Sequence, residues 1–137
     1  MTVTYYQHTV GRMHRELYPN EEMTARVMQV KRYIERNYYL ALSLDKMASE
    51  AFLSKYHFIR IYRKYYGSTP YAYLKEVRLT RAKALLKSGM PIKDVCYAVG
   101  FDSIPSFTRQ YKGMMGVPPA LHRRRMAHYN QELRNSG

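Results

Sequence analysis

The chain has 137 residues, with 23 Lys and Arg against 10 Asp and Glu, a formal net charge of +13 and 46% hydrophobic residues. That hydrophobic fraction excludes a disordered basic tail, because enough apolar surface can be buried to offset the loss of chain entropy. The single cysteine, Cys96, excludes an internal disulfide and cannot hold a structural zinc ion alone. We therefore predict one folded unit, or two very small ones.

No segment has the pattern of a membrane span or a secretory signal. The longest run without Asp, Glu, Lys or Arg extends from Met1 to Gly11, far shorter than the ~18 apolar residues of a spanning helix. No apolar segment carries the positive flank of a signal peptide. We expect a soluble, cytoplasmic protein.

The first half of the chain begins with an irregular stretch and continues with three predicted helices. Residues 1–20 show no clean period and are predicted to be an arm or linker remnant. A helix is then expected from about Glu21 to Asn37, where apolar residues repeat every three or four positions. Ser43 caps a short helix, and Ser54 caps a longer amphipathic one that ends at Gly67.

The second half contains four more predicted helices. Pro70 starts a helix of about 18 residues, ~27 Å long, that ends near Gly89. A short helix follows Pro91, a longer one begins after the cap Ser103, and Pro118 precedes the last. Nothing shows the alternation of a strand. The sequence therefore predicts an all-α fold of about seven helices.

The chain contains an internal repeat at an offset of 49 residues. The residues of the first copy are Ser54, Phe58, Arg60, Tyr62, Gly67 and Pro70, and their identical counterparts are Ser103, Phe107, Arg109, Tyr111, Gly116 and Pro119. Each copy reads as a short helix, a tight turn and a longer helix, which is the helix-turn-helix pattern. We predict two helix-turn-helix subdomains, 21–68 and 90–130, joined by a long linker helix, 69–89, and followed by a flexible tail, 131–137.

The longer helix of each copy has an apolar stripe and an opposite polar face. The predicted buried stripes are Phe58, Ile61, Tyr62 and Tyr65 in the first copy, and Phe107, Tyr111 and Met114 in the second. The same period turns outward Tyr56, Ile59, Arg60 and Arg63, and Pro105, Ser106, Arg109 and Lys112. An outward arginine at the same place in both copies suits a bidentate contact with guanine O6 and N7 in a major groove. The alternative is an exposed arginine that only solvates a surface helix.

Positive charge is concentrated in the same regions. Glu76 is the sole acidic residue between Ala51 and Lys93, and no acidic residue lies between Ser103 and Gln131. Such an imbalance attracts polyanions, either nucleic acid or an anionic membrane surface. A plain solvated basic surface is the alternative interpretation.

Specific motifs now indicate a family. They are the run from Ser54 to Gly67, Pro70-x-x-Tyr73-Leu74, Ile92-x-Asp94-Val95-Cys96-x-x-Val99-Gly100-Phe101, Ser106-Phe107-x-Arg109-x-Tyr111-Lys112, and Gly116-x-x-Pro119. With these motifs, the stretch from Leu44 to Arg124 resembles the DNA-binding domain of the AraC/XylS family of bacterial transcription regulators. The resemblance implies sequence-specific binding of double-stranded DNA by two recognition helices, about 54–66 and 104–115, in major grooves on one side of the duplex.

The resemblance also implies which residues contact DNA. Base contacts are expected at Tyr56, Ile59, Arg60, Ile104, Pro105, Ser106 and Arg109. Phosphate contacts are expected at Ser54, Thr108 and Lys112, with further neutralisation by Lys55, Arg63 and Lys64. The family mostly activates transcription by recruiting RNA polymerase, so an activator is expected. We expect the module to bind as a monomer, with any dimerisation coming from a separate domain, and to need no cofactor.

Four residues depart from the family pattern. Phe52 occupies a turn position where glycine is common, and His122 stands where the family usually has tyrosine. Ile104 and Pro105 occupy positions where polar base readers often lie. Base reading by the second helix is then expected to depend on Arg109 and on apolar contacts with thymine methyl groups.

Other functions receive less support from the sequence. There is no Ser-His-acid set, phosphate loop or carboxylate pair, so an enzyme is not expected. His57, His122 and His128 lack the spacing of metal ligands, and Cys96 fits a small packing position better than a reactive thiol. The competing hypotheses are an RNA- or anionic-surface-binding basic helical protein and a protein-interaction adaptor.

Overall fold

The computed structural model describes residues 21–136, and the side chains of all of these except 124–128 and 130. The predicted arm, 1–20, lies outside the described residues. Seven helices lie between residues 21 and 136: α1 (Glu21–Asn37), α2 (Leu44–Glu50), α3 (Lys55–Tyr66), α4 (Pro70–Lys87), α5 (Ile92–Ala98), α6 (Ile104–Met115) and α7 (Pro119–Asn135). The prediction of an all-α fold is confirmed.

The two longer helices of the repeat, α3 and α6, begin and end in the same way. The hydroxyl oxygens of Ser54 and Ser103 each accept a hydrogen bond, at 3.3 Å, from the backbone N–H three residues later. Gly67 and Gly116 end the helices with φ of 76° and 79°, a left-handed conformation that glycine adopts without steric cost. Local sequence signals therefore define both helices.

The last helix is longer than expected. Helix α7 continues to Asn135, past residue 130, after which the sequence predicted a flexible tail. The side chains of residues 131–136 are exposed. This end of the helix does not pack against a core, so its sequence lacks the repeating apolar residues from which a helix is predicted.

The chain forms two compact units. Among the described residues, the first unit comprises 21–36 and 42–73, and the second comprises 37–41 and 74–136. Helix α4 passes from the first unit to the second between Tyr73 and Leu74. The predicted linker helix therefore also supplies core side chains, and those from Leu79 onward belong to the second unit.

The core of the first unit comes mainly from α1, α2 and α3. Its buried side chains are Val27, Val30, Ile34, Met47, Ala48, Ala51, Phe58, Ile61 and Tyr62. Three aromatic rings run along α3, with ring centroids 5.9 Å apart for Phe58 and Tyr62 and 4.7 Å apart for Tyr62 and Tyr66. Because these rings pack into the core, the opposite face of α3 is turned towards solvent.

The predicted end of each buried stripe was wrong by one residue. Tyr65 and Met114 are 44% and 43% exposed. The following residues take the inward position: Tyr66 contacts Tyr62, and Met115 packs against the core of the second unit. In both helices the stripe follows positions i, i+4 and i+8, because side chains four apart form the ridge that packs against a neighbouring element.

The core of the second unit comes from α4, α5, α6 and the turn that precedes α6. Its buried side chains are Leu79, Ala82, Leu86, Val95, Cys96, Val99, Phe101, Phe107 and Tyr111. Cys96 packs as a small core residue, and burial raises the pKa of its thiol. The Tyr111 hydroxyl lies 2.5 Å from Nδ1 of His122, and burial raises the pKa of Tyr111 to about 12. His122 thus joins α7 to the buried face of α6.

Within the second unit, Arg78 holds the segment that follows α1. Its Nε donates to the Tyr38 carbonyl oxygen at 2.7 Å, and Nη2 donates to the Leu40 carbonyl oxygen at 2.8 Å. The guanidinium carbon lies 5.9 Å from the centre of the Phe101 ring. Gly100, with φ of 99°, lies against this arginine. The side chain of Arg78 therefore has a structural role.

The turn before α3 contains a side chain in an unfavourable backbone conformation. Phe52 has φ of 56° and is 78% exposed, with the Arg26 guanidinium carbon 5.9 Å from its ring. The prediction that a residue with a side chain makes this turn is confirmed. The equivalent turn of the second copy uses Gly100.

We expect Phe52→Gly to raise the free energy of unfolding by about 1 kcal/mol, because glycine removes the steric cost of a left-handed residue. Urea denaturation measures the change. Phe52→Ala is the control: it removes the ring but keeps the backbone cost, so no gain is expected. A gain of equal size in both variants would show that the exposed ring, and not the backbone, lowers stability.

None of the helices in residues 21–136 is both long and apolar enough to cross a membrane.

Candidate nucleic-acid interface

Helix α3 presents a basic face opposite its buried aromatic stripe. Tyr56 is 78% exposed. The cationic side chains Lys55, Arg60, Arg63 and Lys64 are all exposed as well. Ile59 is half-buried, so this predicted base contact offers only part of its side chain. The structure therefore places Tyr56 and Arg60 outward, as the helical period predicted.

The N-terminal end of α3 has three features that favour binding of an anion: an exposed serine, a lysine and the helix dipole. Ser54 is exposed and caps the helix, with Oγ accepting from the His57 N–H at 3.3 Å. Lys55 Nζ lies 6.0 Å from the centre of the Tyr56 ring. The positive end of the helix dipole lies at this end. Predicted phosphate contacts at Ser54 and Lys55 are thus accessible and lie in favourable electrostatic surroundings.

Helix α6 presents a smaller set of outward groups. Pro105, Arg109 and Lys112 are exposed, whereas Ser106 and Thr108 are half-buried. Arg109 occupies the place in α6 that Arg60 occupies in α3. The exposed side chains of α6 therefore include fewer hydrogen-bonding groups than those of α3.

Ile104 is the predicted base contact that the structure turns most clearly towards the interior. It is half-buried and packs against the core of the second unit. Its position in the first turn of α6 leaves the remainder of the side chain accessible. The accessible part of the Ile104 side chain can make an apolar contact with a thymine methyl group.

One polar contact in α6 was not predicted from the sequence. Nε2 of Gln110 donates to Oγ of Ser106 at 3.0 Å. The signal was present, because residues four apart lie next to each other on a helix and Gln is long enough to reach back one turn. Ser106, a predicted base contact, is thus held by a neighbouring side chain.

The two helices carry positive charge without internal compensation. Neither Lys55–Tyr66 nor Ile104–Met115 contains Asp or Glu. The ion pairs Arg26–Glu22, at 2.5 Å, and Lys46–Glu50, at 3.8 Å, lie on α1 and α2. The exposed cations of α3 and α6 therefore attract an anionic partner.

Metal chemistry has no support in the described part of the chain. Among the side chains that the structure describes, no three from His, Cys, Asp or Glu come close enough to hold a metal ion. His57 lies in α3 and His122 in α7. His128 lies among the residues whose side chains are not described.

Comparison with known proteins identifies the family. A family model described as a helix-turn-helix domain matches residues 47–125. The transcriptional activator AarP of Providencia stuartii is 31% identical over 108 residues, which cover 78% of this chain and 80% of that relative. A crystal structure of an AraC-type transcriptional regulator from Chromobacterium violaceum has 28% identity and a TM-score of 0.69, and covers 79% of this chain and 97% of its own. The chain belongs to the AraC-type helix-turn-helix family.

Members of the AraC-type family are DNA-binding transcription regulators, and this confirms the resemblance seen in the sequence. The DNA-binding domain of AdpA, solved in complex with a target DNA, has a similar fold. Its TM-score is 0.70 at 23% identity, over 77% of this chain and 94% of that one. The family match begins in α2 and ends in α7, so it contains both α3 and α6.

Proposed function

We propose that this chain binds double-stranded DNA sequence-specifically, with α3 and α6 each entering a major groove and reading bases through Arg60 and Arg109. The observation that carries the proposal is the matched exposure of these two arginines. Each lies on a helix whose opposite face carries buried core side chains, at equivalent positions of the repeat. A guanidinium that pairs with guanine O6 and N7 discriminates against the wrong base by about 1–3 kcal/mol.

The other predicted contacts complete the proposed interface. Base contacts beside the arginines are Tyr56, Ile59, Ile104, Pro105 and Ser106. Phosphate contacts are Ser54, Lys55, Arg63, Lys64, Thr108 and Lys112. All of these side chains are exposed or half-buried, which the proposal requires.

Binding as a monomer follows from the repeat, because one chain carries two recognition helices where other helix-turn-helix proteins need a dimer. Activation of transcription is supported by the relative AarP, which is named a transcriptional activator, and we propose that this chain activates through RNA polymerase. In vitro transcription from a promoter with the bound site tests activation: more transcript is expected with the protein than without it. Sedimentation of the protein–DNA complex tests the stoichiometry, and two chains on one site would contradict the monomer.

Selection of bound duplexes from a random library tests base reading directly. We expect enrichment of one site with two short specified segments. The selected duplex, the same sequence as duplex RNA, and anionic vesicles are then compared by gel shift or sedimentation at ~150 mM salt. Duplex RNA should bind poorly, because its major groove is too narrow for a helix. Equal binding to all three would favour a basic helical protein without base reading.

We expect the affinity for the selected duplex to fall steeply with salt. If about six phosphates are neutralised, the slope of log K against log salt is roughly −5. Fluorescence anisotropy between about 50 and 300 mM salt, a range over which a slope of −5 lowers the affinity by roughly four decades, gives this slope. Lys112→Ala should make it less steep by about one unit while weakening all sequences alike. A slope near zero would contradict phosphate neutralisation.

A further inference from the structure

The second recognition helix has few groups with which to read bases. In its first turn, Ile104 and Pro105 carry no polar side-chain atoms, whereas the matching positions of α3 are Lys55 and Tyr56. Arg109 reads one base at best through a bidentate contact. Ser106 is thus the other hydrogen-bonding side chain among the base contacts expected in α6.

The geometry of Ser106 is determined by two neighbours. Its backbone N–H donates to Oγ of Ser103 at 3.3 Å, which places it in the capped first turn. Its own Oγ accepts a hydrogen bond from Nε2 of Gln110 at 3.0 Å. A serine hydroxyl has one O–H and two lone pairs. With one lone pair occupied by the amide, the O–H points away from Gln110.

We propose that Gln110 is a positioning residue that makes Ser106 a hydrogen-bond donor to a base in the major groove. The inference rests on the proposed function, because it needs α6 to enter that groove. A donor finds an acceptor on guanine N7 and O6, adenine N7 and thymine O4, whereas cytosine presents the N4 amino donor. Ser106 should therefore disfavour cytosine at the base that it contacts.

The first recognition helix contains no equivalent of this pair. The positions that match Ser106 and Gln110 are His57 and Ile61, and Ile61 is completely buried. In α6 the same helical position is occupied by a half-buried amide that reaches back one turn. The pair thus adds a polar reader to the helix that otherwise has few of them.

Gln110→Met tests the proposal, since methionine has a similar length and no hydrogen-bond donor. We expect the affinity for the selected site to fall about fivefold, as for a typical net hydrogen bond. The preference against cytosine at one base pair should disappear, while the preferences at other positions remain. Ser106→Ala should have the same effect, and the double variant should lose no more than either single variant.

Gln29→Met is the matched control, because Gln29 is exposed on α1, outside the proposed interface. It should leave affinity and base preference unchanged. Urea denaturation of Gln110→Met checks that the variant is folded. A folded variant that weakens all duplexes equally would overturn the positioning role, because a structural contact alone changes affinity without changing base preference.

Gln110→Glu is expected to reverse the hydrogen-bonding role of the Ser106 hydroxyl, from donor to acceptor towards the base. A carboxylate accepts the Ser106 O–H, so the oxygen then offers lone pairs to the base. Selection from the random library should now favour a donor-bearing base, cytosine or adenine, at that position. The added charge lowers affinity for every duplex, so the comparison is between bases within the variant.

The two possible failures are distinguishable. If the parent protein binds no duplex specifically, the proposed function is wrong and this inference with it. If the parent binds its site and Gln110→Met keeps the full base preference, then only the role of Gln110 is wrong.

Discussion

Replacing Gly100 with alanine is expected to lower the free energy of unfolding by about 3–5 kcal/mol. Gly100 has φ of 99°, and a Cβ there would lie 2.7 Å from the Tyr38 carbonyl oxygen and 2.9 Å from Arg78 Nε. Those two atoms form a hydrogen bond of 2.7 Å, so the new methyl group must separate them or displace the turn. Urea or thermal denaturation of the purified protein measures the loss.

Gly116→Ala is the matched control for this prediction. Gly116 also has a positive φ, 79°, but a Cβ at this position would have no atom within 4 Å. Gly116→Ala should lower the free energy of unfolding only by the backbone strain, about 1–2 kcal/mol. The difference between the two variants isolates the contact with Tyr38 and Arg78. If both variants lose the same stability, close packing is not the reason for glycine at position 100.

Replacing Arg60 or Arg109 with alanine is expected to weaken binding of the selected duplex by about 10- to 100-fold, the equivalent of 1–3 kcal/mol. Each variant should also lose its base preference at one position of the site, and the two positions should differ. The reason is that each exposed guanidinium offers two parallel N–H donors that match guanine O6 and N7. Anisotropy titrations with a panel of single-base variants of the site measure both effects.

Two controls separate base reading from charge. Arg60→Lys keeps the charge but loses the planar pair of donors, so the salt dependence should remain while the guanine preference falls. Lys112→Ala should weaken selected and random duplexes alike. Equal losses on selected and random DNA for Arg60→Ala would count against direct reading by that arginine.

Local signals in the sequence were sufficient to predict most of the helices and the outward faces of α3 and α6. Ser54 and Ser103 cap, and Gly67 and Gly116 end, the two helices as expected, because a cap needs only the residue itself and the next turn of backbone. The helical period also placed Arg60 and Arg109 outward, since it fixes which residues share a face.

The sequence could not predict which side chains at the edge of a helix's apolar stripe are buried. Positions i+7 and i+8 lie on either side of the buried stripe, and the neighbouring elements decide which is covered. Tyr66 and Met115 are half-buried, whereas Tyr65 and Met114 remain exposed. Ile104, expected as a base contact, likewise packs partly inward because the core of the second unit lies beside it.

The amino-acid sequence by itself therefore determined most of the helices and their basic faces, because these depend on hydrogen bonds and periods within a few residues. The repeat and the AraC-type family were visible as matching residues along the chain. Tertiary structure alone decided that Arg78 binds the carbonyl oxygens of Tyr38 and Leu40, and that Gly100 must leave room for it. Those contacts join residues about forty positions apart. No local period reports such a contact, because it exists only once the segments are packed together.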